Sequence, residues 1–161
     1  MHLANKPTHL FARSAKGASY EHRAYKCVGK IESIKKDILG KEYSLSLAYV
    51  SEKKSQEINK KYRKKDKSTN VLSFALRKNE GELVLCKSLI KKEAKEQGKS
   101  FDQWLGFLVI HGMLHLKGMR HGSIMERTEL RYDQKYFGGY RRRLQNDQSG
   151  GGRIHQGRKK S

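Results

Sequence analysis

The stretch HGMLHLKGMRH at residues 111–121 holds three histidines in the spacing His-x3-His-x5-His. His111 and His115 are four apart, so on a helix their imidazoles stack on one face, one turn above the other. Gly118 supplies a residue able to take positive φ, which ends the helix and lets the chain return. His121 then reaches the same point in space. Three neutral imidazoles converging on one point leave a fourth tetrahedral position open, the arrangement of a catalytic zinc site. The run before them, FDQWLGFLVI at 101–110, begins just after a capping residue, Ser100. Phe101, Trp104, Leu105, Leu108 and Val109 give it a wide apolar face. The spacing predicts a central, largely buried helix that holds its histidines on a rigid frame.

The missing carboxylate is equally informative. The zinc-protease helix reads His-Glu-x-x-His, and its Glu is the general base. Here Gly112 follows His111. Such a site can present a water of lowered pKa, but it lacks the local proton acceptor of amide hydrolysis. A metallopeptidase is therefore the weaker reading. A substrate that carries its own nucleophile, such as RNA with its 2′-hydroxyl, fits better.

Outward from the motif, the chain of 161 residues suits one domain. Residues 1–22 are polar, basic and weakly patterned, which predicts no defined structure, though Leu10–Ala12 has room for a short strand. Residues 23–39 read as a helix, from Ala24, Val28, Ile31, Ile34 and Ile38. Residues 43–50 alternate as a strand with one buried face. Ser51 caps a helix anchored by Ile58 and Tyr62, which runs into a charged loop at 63–69. Strands at 70–76 and 81–86 flank a polar turn, RKNEG, and pair antiparallel. A helix from Cys86 or Ser88 to Gln97 precedes the motif helix. Another, about 124–137, follows it, with one further turn at Tyr140–Leu144. From residue 146 the chain is a Gly-rich basic tail. Strands come early and helices late, which makes the domain α+β. The boundaries are an N-terminal segment 1–22, a domain 23–145 and a tail 146–161.

Thirty-six Lys and Arg face sixteen Asp and Glu, a net charge of +20. That excess speaks for a polyanionic partner, with nucleic acid ahead of a membrane surface. It clusters at 60–67, 141–143 and 158–160. There is no apolar run of about 18 residues and no secretory h-region, so neither a membrane span nor a signal is expected. Two widely separated cysteines, Cys27 and Cys86, fit a reducing cytoplasm. Arg63 is either one more solvated cation or a bidentate phosphate ligand. Lys65 and Lys67 read as general phosphate contacts, and Asp66 as a pin for their loop. Glu82 is either a partner or proton acceptor for the site, or a surface residue on a turn. Ser73, Trp104, Phe107 and Cys86 read as packing residues.

Four segments carry a family resemblance: YRKKDKSTNVLSF (62–74), GELVLC (81–86), KKEAKEQGK (91–99) and HGMLHLKGMRH (111–121). Over residues 23–140 the chain resembles the YbeY family, described as zinc-dependent endoribonucleases and ribosomal RNA maturation factors. The resemblance implies a mixed sheet of about four strands packed with about five helices around a zincin-like metal helix. It implies one zinc ion on His111, His115 and His121, with Arg63 in a positive cleft beside it and the strand Thr69–Phe74 along that cleft. It implies single-strand-specific cleavage in late 16S ribosomal RNA 3′-end maturation and ribosome quality control. Single-stranded RNA, 16S RNA and the small subunit would be the partners. The chain departs from the family pattern at Arg120, where the Asp before the last histidine belongs, and at Glu82, Asn70, Ser68 and Ala75. The loss of that Asp favours an alternative: a ribosome-binding assembly factor with a mainly structural zinc and weak or no nuclease activity.

Overall fold

The computed structural model describes residues 28–138. Its helices are α1 (Val28–Ile38), α2 (Glu52–Arg63), α3 (Lys87–Glu96), α4 (Phe101–Leu116) and α5 (Ser123–Phe137). Its strands are β1 (Ser44–Val50), β2 (Val71–Arg77) and β3 (Glu80–Cys86). They form one mixed sheet in the order β1-β3-β2, with β1 parallel and β2 antiparallel to β3. This is the predicted α+β class, with five helices and three strands among the described residues. The strand at Leu10–Ala12, the helical residues before 28, the turn at Tyr140–Leu144 and the basic tail lie outside them.

Layering follows from alternation along the strands. Leu83 and Leu85 of β3 join the main core with Ile34 and Ile38 of α1, Ile90 of α3, and Leu105, Val109, Ile110 and Met113 of α4. Between them in sequence, Val84 turns to the opposite face, where it meets Ala48, Leu72 and Ile58 of α2. Both faces of the sheet are therefore covered. β1 was expected to bury one face only; Leu45, Leu47 and Tyr49 pack on the main core, and Ala48 and Val50 on the α2 side. The reason is its parallel pairing with the central strand β3, which needs a crossover, and α2 in that crossover roofs the second face.

Local signals set the boundaries. Ser51 Oγ accepts from Lys54 N–H at 3.2 Å and starts α2. Ser100 and Gln103 form a reciprocal capping box at the start of α4. Two expectations need correction. The turn between β2 and β3 is only Lys78–Asn79; Arg77, Glu80 and Gly81 belong to the strands, whose register shifts between Ala75 and Arg77. Tyr62 is not a buried anchor of α2 but 45% exposed, its ring edge-on to Phe74. Ser55 and Asn59 are buried beside Ile58 instead. Ser55 Oγ donates to the Thr69 carbonyl at 2.7 Å and accepts from Thr69 N–H at 3.0 Å, and Asn59 Nδ2 donates to the Lys67 carbonyl at 2.8 Å. These bonds satisfy loop backbone that strand pairing cannot reach.

α5 docks on α4 and α1. Lys135 and the Tyr136 hydroxyl both donate to the Asp37 carboxylate of α1, holding its pKa below the usual carboxylate range. At the α4 contact the Phe137 ring lies over Gly106, where a Cβ would stand 2.2 Å from Cζ. Asp133 on the same helix is buried, and burial raises its pKa while the charge of Lys99 partly offsets this.

Gly106→Ala is expected to cost ~1–3 kcal/mol by overpacking. Gly29→Ala in α1, with nothing within 4 Å of its Cβ, should be neutral or stabilise by up to ~1 kcal/mol. Denaturant unfolding compares the two. Asp133 has a folded pKa above its unfolded value, so its ionisation opposes folding once the pH exceeds the unfolded pKa. Asp133→Asn should therefore raise stability at neutral pH, and the gain should vanish as the pH falls through the ordinary carboxylate range. A pH series of urea midpoints checks the sign.

Candidate metal centre

The last two turns of α4 carry His111 and His115, half-buried, and the chain beyond brings exposed His121 back to them. Gly118 makes that return at φ +93°, as its place in the motif predicted. Ring centroids stand 4.6 Å apart for His111–His115, 5.2 Å for His111–His121 and 4.6 Å for His115–His121. One nitrogen from each ring lies within 4.8 Å of the others. Among the described residues this is the group of His, Cys, Asp or Glu side chains placed to hold a metal ion.

Each helix histidine is fixed from behind. His111 Nδ1 is 2.7 Å from Glu129 Oε1 of α5, and His115 Nδ1 is 3.0 Å from the Met119 carbonyl. Both partners are acceptors, so both Nδ1 atoms carry the proton and both Nε2 atoms present lone pairs. Those two Nε2 atoms face each other at 3.1 Å. Two lone pairs that close repel unless a cation lies between them. Nitrogen ligands ~2.0–2.1 Å from a tetrahedral ion are themselves roughly 3.3–3.4 Å apart. The donor set and its tautomers therefore fit a divalent metal. Burial lowers the pKa of His115, as do the neighbouring charges of His111, His121 and Arg63, against the opposing Met119 carbonyl. The ring is thus neutral and able to bind metal near neutral pH.

Glu129 escaped the sequence reading, which looked for an orienting carboxylate at residue 120 and at Glu82. Its signal was present: Met125, Glu129 and Asp133 recur every four residues on the helix predicted over 124–137, and all three are buried. An acid on the core-facing stripe of a helix needs a partner. Arg120 is exposed, and His121 has no hydrogen bond among the described residues. Glu82 is neither a surface residue nor a turn residue, being 0% exposed within β3. Alternation puts it on the face shared with Val84 and α2, opposite the core packed on α4.

Gly112 has a structural cause. A Cβ there would meet Leu83 Cδ2 at 2.7 Å and Ser73 Oγ at 3.2 Å. Helix and sheet lie too close at that point for the carboxylate of a peptidase motif. Ser73 is the small packing residue expected.

Arg63 ends α2, and its charge is felt at His115. The next residue, Lys64, turns the chain at φ +60°, the one non-glycine positive φ among the described residues. Lys65 and Lys67 are exposed on the loop beyond. Asp66 pins that loop as predicted, accepting from Lys60 at 2.7 Å and Gln56 at 3.0 Å, which lowers its pKa. Trp104 and Phe107 are half-buried, stacked at 5.1 Å against the main core, and Cys86 is a buried free thiol.

Glu129→Ala is expected to weaken metal affinity 10–100-fold, with Glu129→Gln retaining more because it still offers an acceptor. Competition against a chromophoric chelator measures both.

Residues 12–138 match the protein family described as Endoribonuclease YbeY. An Endoribonuclease YbeY of Staphylococcus carnosus is 37% identical over 113 residues, covering 63% of this chain and 74% of that protein. One of Lactobacillus helveticus is 38% identical over 121 residues, covering 63% and 70%. The solution structure of TM1509 from Thermotoga maritima superposes with a TM-score of 0.53 at 28% identity, covering 73% of this chain and 86% of that one. With a family match over most of its length and the three histidines of the motif gathered in space, the chain belongs to the YbeY endoribonuclease family.

Proposed function

We propose that this protein is a zinc-dependent endoribonuclease that cuts single-stranded RNA. Its process would be late 16S ribosomal RNA 3′-end maturation and ribosome quality control, in the cytoplasm and with the small ribosomal subunit as partner. The observation that carries the activity is the pair of Nε2 atoms aimed at one another with their protons held behind, beside the Arg63 charge. A zinc ion bound there supplies Lewis-acid stabilisation to charge developing on phosphodiester oxygens. The family's named activity supports RNA as substrate. No helix among the described residues is long and apolar enough to cross a membrane.

Each protein group has a distinct task in this reading. His111, His115 and His121 hold the metal. Glu129 and the Met119 carbonyl keep the first two in the ligating tautomer. Arg63 grips the scissile phosphate through its two-pronged guanidinium. Lys65 and Lys67 contact neighbouring phosphates and add salt-dependent affinity. With Gly112 where a base would stand, the 2′-hydroxyl of the RNA is the nucleophile that the site needs least help to use.

On a single-stranded ribosomal RNA 3′-end precursor, His115→Ala and chelation should each abolish cutting, and added zinc should restore the chelated wild type. Arg63→Ala should lower kcat/KM on the order of 10²-fold, and Arg63→Lys should recover only part of that. A 2′,3′-cyclic phosphate with a 5′-hydroxyl on the downstream fragment identifies 2′-hydroxyl attack; a 3′-hydroxyl with a 5′-phosphate identifies water. A well-folded, zinc-loaded protein that binds small-subunit RNA and never cuts it would support the assembly-factor reading instead.

A further inference from the structure

Helix α3 carries a concentrated positive surface away from the metal. Lys91, Lys92 and Lys95 line a cleft of about 480 Å³ with Ser88 and Glu96. At 3.6 residues per turn, the three lysines fall within a sector of about 100°. All three are exposed. Lys91 also lines an adjoining cleft of about 440 Å³ with Lys87, Ser100, Phe101 and Asp102.

Some exposed lysines are matched with acids: Lys54 with Glu57, Lys60 with Asp66, Lys135 with Asp37. Lys91, Lys92 and Lys95 make no ion pair among the described residues. Of the two acids of α3, Glu96 lines the same cleft and Glu93 does not. Glu93 is turned inward, where one carboxylate oxygen accepts from Asn70 Nδ2 at 2.7 Å and Trp104 Nε1 at 3.0 Å. Like charges one turn apart on a helix cost a few tenths of a kcal/mol per pair. Ile90 and Ala94, buried on the opposite side, hold the helix against that repulsion. The cleft thus sets three lysines against the single carboxylate of Glu96.

We propose that this face is an RNA-backbone exosite: it binds phosphates of single-stranded RNA lying outside the cleavage site and contributes affinity, not chemistry. Phosphate is the ligand that exposed lysines one turn apart, about 5–6 Å between Cβ atoms, can follow along a chain. The surface is remote from the histidines. Phe101, in the cleft it shares with Lys91, precedes His111 by about 15 Å of helix axis. The proposal rests on the endoribonuclease reading only for its choice of RNA as the polyanion.

The test uses the full-length, zinc-loaded chain and a Lys91→Gln/Lys92→Gln/Lys95→Gln variant of equal zinc content. Two single-stranded oligouridylates, about five and about twenty nucleotides long, serve as probes, and binding is followed over a salt series by fluorescence anisotropy. The variant should bind the long RNA about tenfold or more weakly. Its slope of log affinity against log salt should be smaller by up to ~2, three contacts at about 0.7 each. Short-RNA binding and cleavage should be unchanged, and Lys91→Arg/Lys92→Arg/Lys95→Arg should bind the long RNA like the parent. Unchanged long-RNA affinity and slope would overturn the proposal. So would equal losses on both lengths, which would put the lysines at the metal site, or equal binding of poly-glutamate, which would make the face a general anion surface. Binding is read independently of cutting, so a parent that binds long RNA without cleaving it counts against the nuclease reading and leaves the exosite standing.

Discussion

The closeness of α4 to the sheet governs the rest of the molecule. At Gly112 the helix backbone approaches Leu83 and Ser73 so nearly that no side chain fits. That contact fixes the rotation of α4, and with it the direction in which residues one position before and three positions after project. His111 and His115 leave the core on the same side because position 112 faces into it. The same contact removes the option of a carboxylate beside the first ligand. The chemistry open to the site is thus narrowed by packing before any catalytic group is considered.

A second contact, between α4 and α5, orients the first histidine. Gly106 admits Phe137, α5 lies down on α4, and Glu129 arrives behind His111. The acceptors behind the two helix histidines differ in kind. Glu129 is a side chain from a separate helix, while the Met119 carbonyl belongs to the turn that also carries His121. One ligand is oriented by tertiary docking and the other by local chain geometry. The loop after α2 is positioned by a third device, the buried polar pair Ser55 and Asn59, which bond backbone fourteen and eight residues onward in sequence.

Which of these features were legible from sequence follows from their range. The three histidines, the caps at Ser51 and Ser100, the Gly118 turn and the antiparallel pair β2–β3 are written in spacings of a few residues, where backbone geometry alone decides. The parallel pairing of β1 with β3 spans a crossover and left no local mark, so β1 was expected to have one buried face. Tyr62 was taken for an anchor because it sits four residues after Ile58. The buried stripe instead runs through Ser55 and Asn59, whose polarity concealed it. Glu129 is eighteen residues from His111, and only the docking of α5 makes them neighbours. Glu82 reads in sequence as either a site partner or a turn residue; it is fully buried within β3, because the strand already begins two residues before it, at Glu80.

The Phe137–Gly106 contact and the Glu129–His111 bond are eight residues apart on one rigid helix, about 12 Å along its axis. α5 is therefore a lever whose pivot lies at its far end. A tilt of about 5° at the pivot moves the carboxylate by roughly 1 Å, enough to lengthen a hydrogen bond past useful range. Changes beneath Phe137 thus reach His111 without touching any of the three histidines. In related chains, substitutions at this distant hinge can retune the grip on the metal while the three histidines stay the same.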